Sequence, residues 1–163
     1  MQTSGAVGAA ATTEVVVERA QAGKPHAGKV LAFIQPHSDD EMFVAGTIAK
    51  LISEGYTGHL IRTTNDECAG PGTMGETVLA NERDNQEVAR VLGLKQVFDL
   101  NYRNHRMDGI SALEYRARLI FLFRVLKVDT VISYDPWGHY EENPDHYVTA
   151  AGVEAACWMA GMT

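Results

Sequence analysis

Apolar residues along this chain fall into short continuous runs that alternate with longer amphipathic segments. The run "KVLAFIQ" (29–35) is of strand length and apolar almost throughout, as expected for a strand buried on both faces of a parallel sheet. "EMFVAGTIAKLISEG" (41–55) follows, with Val44, Ile48 and Ile52 four apart. That spacing predicts a helix with an apolar stripe and Gly55 at its C-cap. "HLIRTT" (59–64) reads as a second strand, and "NDECAGPGTMGE" (65–76) as a glycine-rich polar loop without periodicity. "TVLANERDNQEVARVLG" (77–93) is predicted helical, with Val88, Val91 and Leu92 inward and Gly93 as its stop.

The alternation continues with a strand at 96–100, a loop at 101–111 and a helix at 112–127, in which Phe121, Leu122 and Phe123 are candidate core residues. A fourth strand at 129–135 and the loop 136–143 lead to a helix at 144–161, with Pro144 in its first turn. Residues 1–28 read as a flexible lead-in containing "EVVVERA", a short strand or helix. Repeated strand–helix units of this kind predict an α/β fold, a Rossmann-like three-layer sandwich around a mostly parallel sheet. The chain ends just after the last helix, where such sheets usually add a strand, so a truncated carboxyl end is expected.

Composition narrows the function classes. The 163 residues suit one domain, and the 45% hydrophobic and 21% charged content is that of a globular chain. A net charge of −7 without a basic cluster argues against a nucleic-acid backbone as partner. Cys68 and Cys157 are too few and too far apart for a disulfide framework or a cysteine zinc site, and read as free thiols. No apolar run is long enough for a membrane span, and a cytoplasmic location is the default expectation. No G-x-G-x-x-G follows the first strand, which argues against a dinucleotide site.

In its place stands "PHSDDE", with His37, Ser38, Asp39, Asp40 and Glu41 packed together where a strand gives way to a helix. Two readings are open for this motif alone. Ser38 or Asp39 caps the helix, with Glu41 in its first turn. Alternatively, His37 and Asp40 form half of a metal site, and a divalent cation offsets the repulsion of the adjacent carboxylates. A catalytic zinc needs a third protein ligand, and His146 in "ENPDHYVTA", also just past a strand and at a helix start, supplies it. Two histidines and one carboxylate suit Zn2+, although ligand type does not exclude another divalent metal.

"PHSDDE", followed by "GTIAKLISEG", "RTTND", "VARVLGL" and "NPDH", resembles the PIG-L or LmbE-like family of zinc-dependent N-deacetylases, over about residues 29 to 160. Within the domain 29–163, the resemblance implies that His37, Asp40 and His146 bind zinc and that Asp39 is the general base. It implies hydrolysis of an N-acetyl or N-acyl amide on an amino sugar, such as an N-acetylglucosamine conjugate. Asn143 departs from the family: it stands where the second motif has its first histidine. An asparagine amide can donate a hydrogen bond to an oxyanion but cannot give up a proton; His139 is a nearby substitute. Tyr140 is a second candidate oxyanion donor, Asp145 a partner for His146 or a neighbour, and Arg83 a residue of the family's substrate helix. Asn65, Asp66 and Glu67 are read as a solvated loop. The alternative is a catalytically impaired Rossmann-like binding module of the same family, a reading that Asn143 keeps open. Oligomeric state is left open.

Overall fold

The computed structural model describes residues 22–162. The segment "EVVVERA" lies outside them. Strands β1 (Val30–Gln35), β2 (Thr57–Thr64), β3 (Gln96–Tyr102) and β4 (Thr130–Ile132) form one sheet in the order β3-β2-β1-β4. All three pairings are parallel, and Leu31 of β1 aligns with Gly58 of β2 and Thr130 of β4. Four α-helices connect and cover the strands: α1 (Ala45–Ser53), α2 (Met74–Leu92), α3 (Ala112–Leu126) and α4 (Pro144–Ala160).

β1 shows why its sequence is apolar throughout. Leu31 and Phe33 join Leu60, Ile48, Ala89 and Leu94 in a core beneath α1 and α2. Ala32 and Ile34 face the other way, joining Ile61, Tyr115, Leu119, Phe123, Val153 and Ala156 beneath α3 and α4. The pleat sends successive side chains to opposite faces, so a strand covered on both sides carries no polar alternation. The result is three layers, helix pair, sheet and helix pair.

Several boundaries differ from those the sequence predicts. The helix expected over 41–55 begins with a separate 3-10 turn, Asp40–Phe43, and its α-helical part is capped by Glu54, not by Gly55. α2 starts earlier than 77, because Thr73 and Glu76 form a reciprocal capping box within the stretch expected to be a loop. Its buried side is Thr77, Asn85 and Ala89, while Val91 is exposed. β3 runs two residues further than 100, and β4 keeps only three of its predicted seven positions. In α3, Phe123 is buried and Leu122 packs partly against the core, but Phe121 faces outward. Gly93 does stop α2, in the left-handed region at φ 73°.

The strand order reverses beside β1: β2 and β3 lie on one side of it and β4 on the other. Ligands of open α/β sheets sit at such a switch point, beyond the strands' carboxyl ends. The segments leaving β1 and β4 there carry "PHSDDE" and "NPDH".

Candidate metal centre

Neither capping candidate caps. Asp39 precedes the 3-10 turn with no side-chain cap bond, and the Ser38 hydroxyl is turned to Asp66. The turn instead folds Asp40 back over the end of β1, where its Oδ2 accepts the His37 backbone N–H at 2.7 Å. Asp40 is thereby buried, with His37 Nδ1 at 3.7 Å from Oδ2. From the far side of the switch point, α4 brings His146 Nε2 to 3.7 Å from Asp40 Oδ1. The two imidazoles face each other with His37 Nδ1 and His146 Nε2 3.0 Å apart.

The outer ring nitrogens settle what the inner ones can do. His37 Nε2 lies 3.0 Å from Asp145 Oδ2, and His146 Nδ1 lies 2.9 Å from Glu141 Oε2. Burial works to raise the pKa of both carboxylates, but their hydrogen bonds to the imidazoles and to backbone N–H groups outweigh it and hold both below their ordinary values. Ionised carboxylates only accept, so His37 Nε2 and His146 Nδ1 are the protonated, donating nitrogens. In neutral rings, the two inner nitrogens then present lone pairs to each other beside the Asp40 carboxylate. That arrangement is repulsive unless a cation or a shared proton lies between them. Burial pulls the His37 pKa down, yet the Asp145 hydrogen bond and the field of Asp40 prevail and raise it above 6.5. A divalent cation fits this donor set: two imidazoles and a carboxylate, each imidazole anchored by a carboxylate behind it.

A second triad, His37, His105 and Asp145, also brings possible ligand atoms within 4.8 Å of one another. Asp145 is unavailable to it. The side chain is fully buried and accepts backbone N–H bonds from His105 at 2.6 Å and Met107 at 3.2 Å in addition to His37. Asp145 therefore orients His37 rather than its own neighbour His146.

Beneath the centre lies a buried polar network. Ser38 Oγ donates to Asp66 and accepts from Arg62 Nη1 at 3.1 Å and Asn85 Nδ2 at 2.8 Å. Arg62 is fully buried and its Nε donates to Asp99 at 2.6 Å. Asp66, expected in a solvated loop, is also fully buried, and desolvation raises its pKa. These bonds tie the segment after β1 to β2 and α2, so Ser38 is pinned between the candidate ligand His37 and the exposed Asp39.

Two hollows meet over this segment. One, of about 510 Å³, is lined largely by polar groups, among them Asp39, Asp66, Asn81, Asp84, Asn104 and His105. The other, of about 400 Å³, is lined by Asp40, His146, Tyr134 and Glu141 with Met42 and Phe43. His37, Asp39 and Asn143 line both.

The family described as GlcNAc-PI de-N-acetylase, PIG-L, matches residues 32–157. The chain belongs to the PIG-L family. Among curated PIG-L relatives, a diacetylchitobiose deacetylase of Thermococcus kodakarensis is 30% identical over 136 residues, covering 78% of this chain and 48% of that protein. Among solved structures, the N,N'-diacetylchitobiose deacetylase of Pyrococcus horikoshii, bound to an inhibitor, superposes with a TM-score of 0.76 at 28% identity, covering 87% of this chain and 54% of that one. A 4-carboxy-2-hydroxymuconate hydratase of Pseudomonas putida shares the fold, with a TM-score of 0.70 at 20% identity over 80% of this chain and 56% of its own. This PIG-L chain thus spans about half the length of the relatives it matches.

Asn143 is the N-cap of α4, its Oδ1 accepting the Asp145 N–H at 3.0 Å. Tyr140 is 97% exposed and lines neither hollow. Arg83 and His139 are likewise exposed and line neither. The tyrosine at the centre is Tyr134, which sequence reasoning passed over. Its ring stacks on His146 at 4.2 Å, and its hydroxyl donates to Asp40 Oδ1 at 2.6 Å. Burial and that bond to an acid push its pKa well up, so it stays a neutral donor. Glu141 was also missed, although its place five residues before His146 on the loop entering α4 was visible. Both cysteines are free and exposed, and among the described residues no helix is long and apolar enough to cross a membrane.

Proposed function

We propose that this chain is a metal-dependent hydrolase that removes an N-acetyl or longer N-acyl group from an amino sugar, with Asp39 as general base. The observation that carries this reading is the pair of imidazole nitrogens, His37 Nδ1 and His146 Nε2, 3.0 Å apart beside Asp40, each backed by its own carboxylate. Two diacetylchitobiose deacetylases among the relatives support an N-acetylated amino sugar as substrate.

His37, Asp40 and His146 would hold the cation, zinc by ligand type. Held there, a divalent cation lowers the pKa of water toward about 7 and polarises the amide carbonyl. Asp39 follows the ligand His37 by two residues and is exposed where the hollows meet, so its carboxylate is free to take the proton of the attacking water. Attack on the carbonyl carbon places negative charge on its oxygen. Asn143 commits its Oδ1 to the cap of α4 and so directs its amide N–H groups elsewhere, where they can donate to that oxygen. Such a donor is worth about 3 kcal/mol. Asp39 then returns its proton to the amine as the C–N bond breaks, leaving a free amino sugar and a carboxylate. Tyr134 keeps Asp40 and His146 in register through its hydroxyl bond and ring stack.

The test is amine release from N-acetylglucosamine, N,N'-diacetylchitobiose and longer N-acyl glucosamines, measured beside metal content. The proposal expects stoichiometric metal and turnover in the wild type, loss of both in His146→Ala, and retained metal with kcat about 10²–10⁴-fold lower in Asp39→Asn. Stoichiometric metal with no amine released from any of them would favour the binding module instead.

A further inference from the structure

The two hollows differ at one edge: only the smaller carries large apolar side chains, Met42 and Phe43, and that difference sets how a substrate can lie. The wall of the larger one beyond the shared residues is formed by Ser38, Asp66, Asn81, Asp84, Asn104 and His105, with only Cys68 and Ala69 less polar. Such a wall offers donors and acceptors to hydroxyl groups and little to an aliphatic chain. The smaller hollow has Met42 and Phe43 at its lip, and these are 70% and 74% exposed. Two neighbouring large apolar side chains at the rim of a candidate active centre offer a surface that an apolar group of the substrate can cover. Phe43 and Tyr134 also line a further apolar recess, of about 110 Å³, with Phe33, Val44 and Ile132 around it. Asp40, Phe43 and Tyr134 line both this recess and the smaller hollow, so the recess adjoins the candidate centre, with Phe43 as the apolar side chain between them.

An amide has an amine half and an acyl half, and its carbonyl carbon must sit where the hollows meet, at His37, Asp39 and Asn143. We propose that the amino-sugar half occupies the polar hollow and the acyl half runs along Met42 and Phe43 toward the recess, so that the site selects aliphatic acyl chains longer than acetyl. An acetyl group would leave Met42 and Phe43 in water. A longer chain buries them, and each added methylene that is fully covered tightens binding by up to about fourfold. This rests on the deacylase reading above, and its experiments are chosen to separate the two.

The first uses the product side, which needs no turnover. Acetate, butyrate, hexanoate and octanoate are titrated calorimetrically into the zinc-loaded chain. Affinity should climb with chain length toward that limit, and Phe43→Ser should flatten the climb. Affinity that is flat or falls with length overturns the proposal whether or not the protein turns over. The second compares kcat/KM for glucosamines N-acylated with the same four groups. A rising series, with the octanoyl-to-acetyl ratio lowered by Phe43→Ser but unchanged by Asn81→Ala, supports the orientation. Release from the acetyl compound alone overturns the acyl preference and leaves the deacylase reading standing. Failure of every amide to release amine, with carboxylates still binding more tightly as they lengthen, overturns the deacylase reading and keeps the apolar subsite.

Discussion

Each residue of the centre has a distinct physical task, and the carboxylates illustrate this best. Asp40 faces the imidazoles, Asp39 stays in water, and Asp145 is buried behind His37, receiving His105 and Met107 backbone N–H groups. Asp145→Asn keeps the volume but removes the charge that fixes the His37 tautomer. Its metal affinity should fall about 10–100-fold with the fold retained, measured by competition with a chromophoric chelator. A variant that binds zinc as tightly as the wild type would show that Asp145 only holds the backbone of the 105–107 turn. At this scale the sequence was informative about His37, Asp40 and His146, because a histidine or acid at a strand's carboxyl end in an alternating fold has few places to go. It was silent about Tyr134, a residue whose hydroxyl reaches Asp40 only because β4 docks beside β1. It misled about Asp66, which sits in a polar run and yet is buried by Ser38, Thr64 and Arg62.

At the level of elements, two contacts decide whether the centre is delivered intact. The first is the cap that Asn143 places on α4, the helix that carries His146. Asn143→Ala should cost about 1 kcal/mol of unfolding free energy. Asn143→Asp should keep that stability, since an aspartate caps equally well, while losing the amide donor and most of the turnover. Urea unfolding and amine release on the two variants separate the cap from the chemistry. The second is the packing of α4 on α3. A Cβ on Gly152 would lie 2.4 Å from Cε1 and 2.6 Å from Cδ1 of Tyr115. Tyr115 cannot yield readily, being fully buried with its hydroxyl bonded to Thr63 at 3.0 Å and its pKa pushed up to about 12 by desolvation. Gly152→Ala should therefore destabilise by about 1–3 kcal/mol, read from the urea midpoint. The helices themselves were legible from their periodicity. So were the starts of α3 and α4 and the stop of α2 at Gly93; the start of α2 was not, because the capping box of Thr73 and Glu76 lies among glycines that suggest a loop.

For the whole molecule, the sheet and its two covered faces set the stability, and His59 on β2 makes it sensitive to acid. Burial, reinforced by Lys95, holds the His59 pKa below 6.5. The unfolded chain takes up that proton more readily than the folded one. The stability is thus fully present above the unfolded pKa and is lost as pH falls below it. Urea midpoints should drop between about pH 7.5 and about pH 5, and His59→Leu should shallow that slope; an unchanged slope would assign it to other groups. The sequence alone determined the alternation of strands and helices, the burial of β1 on both faces and the placing of two histidine–aspartate motifs at strand ends. Those features depend on local periodicity and on the handedness of crossovers, which neighbouring residues specify. Only the tertiary structure decided that Asp145 stands behind His37, that Glu141 and Tyr134 serve His146, and that Met42 and Phe43 edge one of the two hollows and not the other. These pairings join segments brought together by the order β3-β2-β1-β4, and their geometry exists only once the sheet has closed around its switch point.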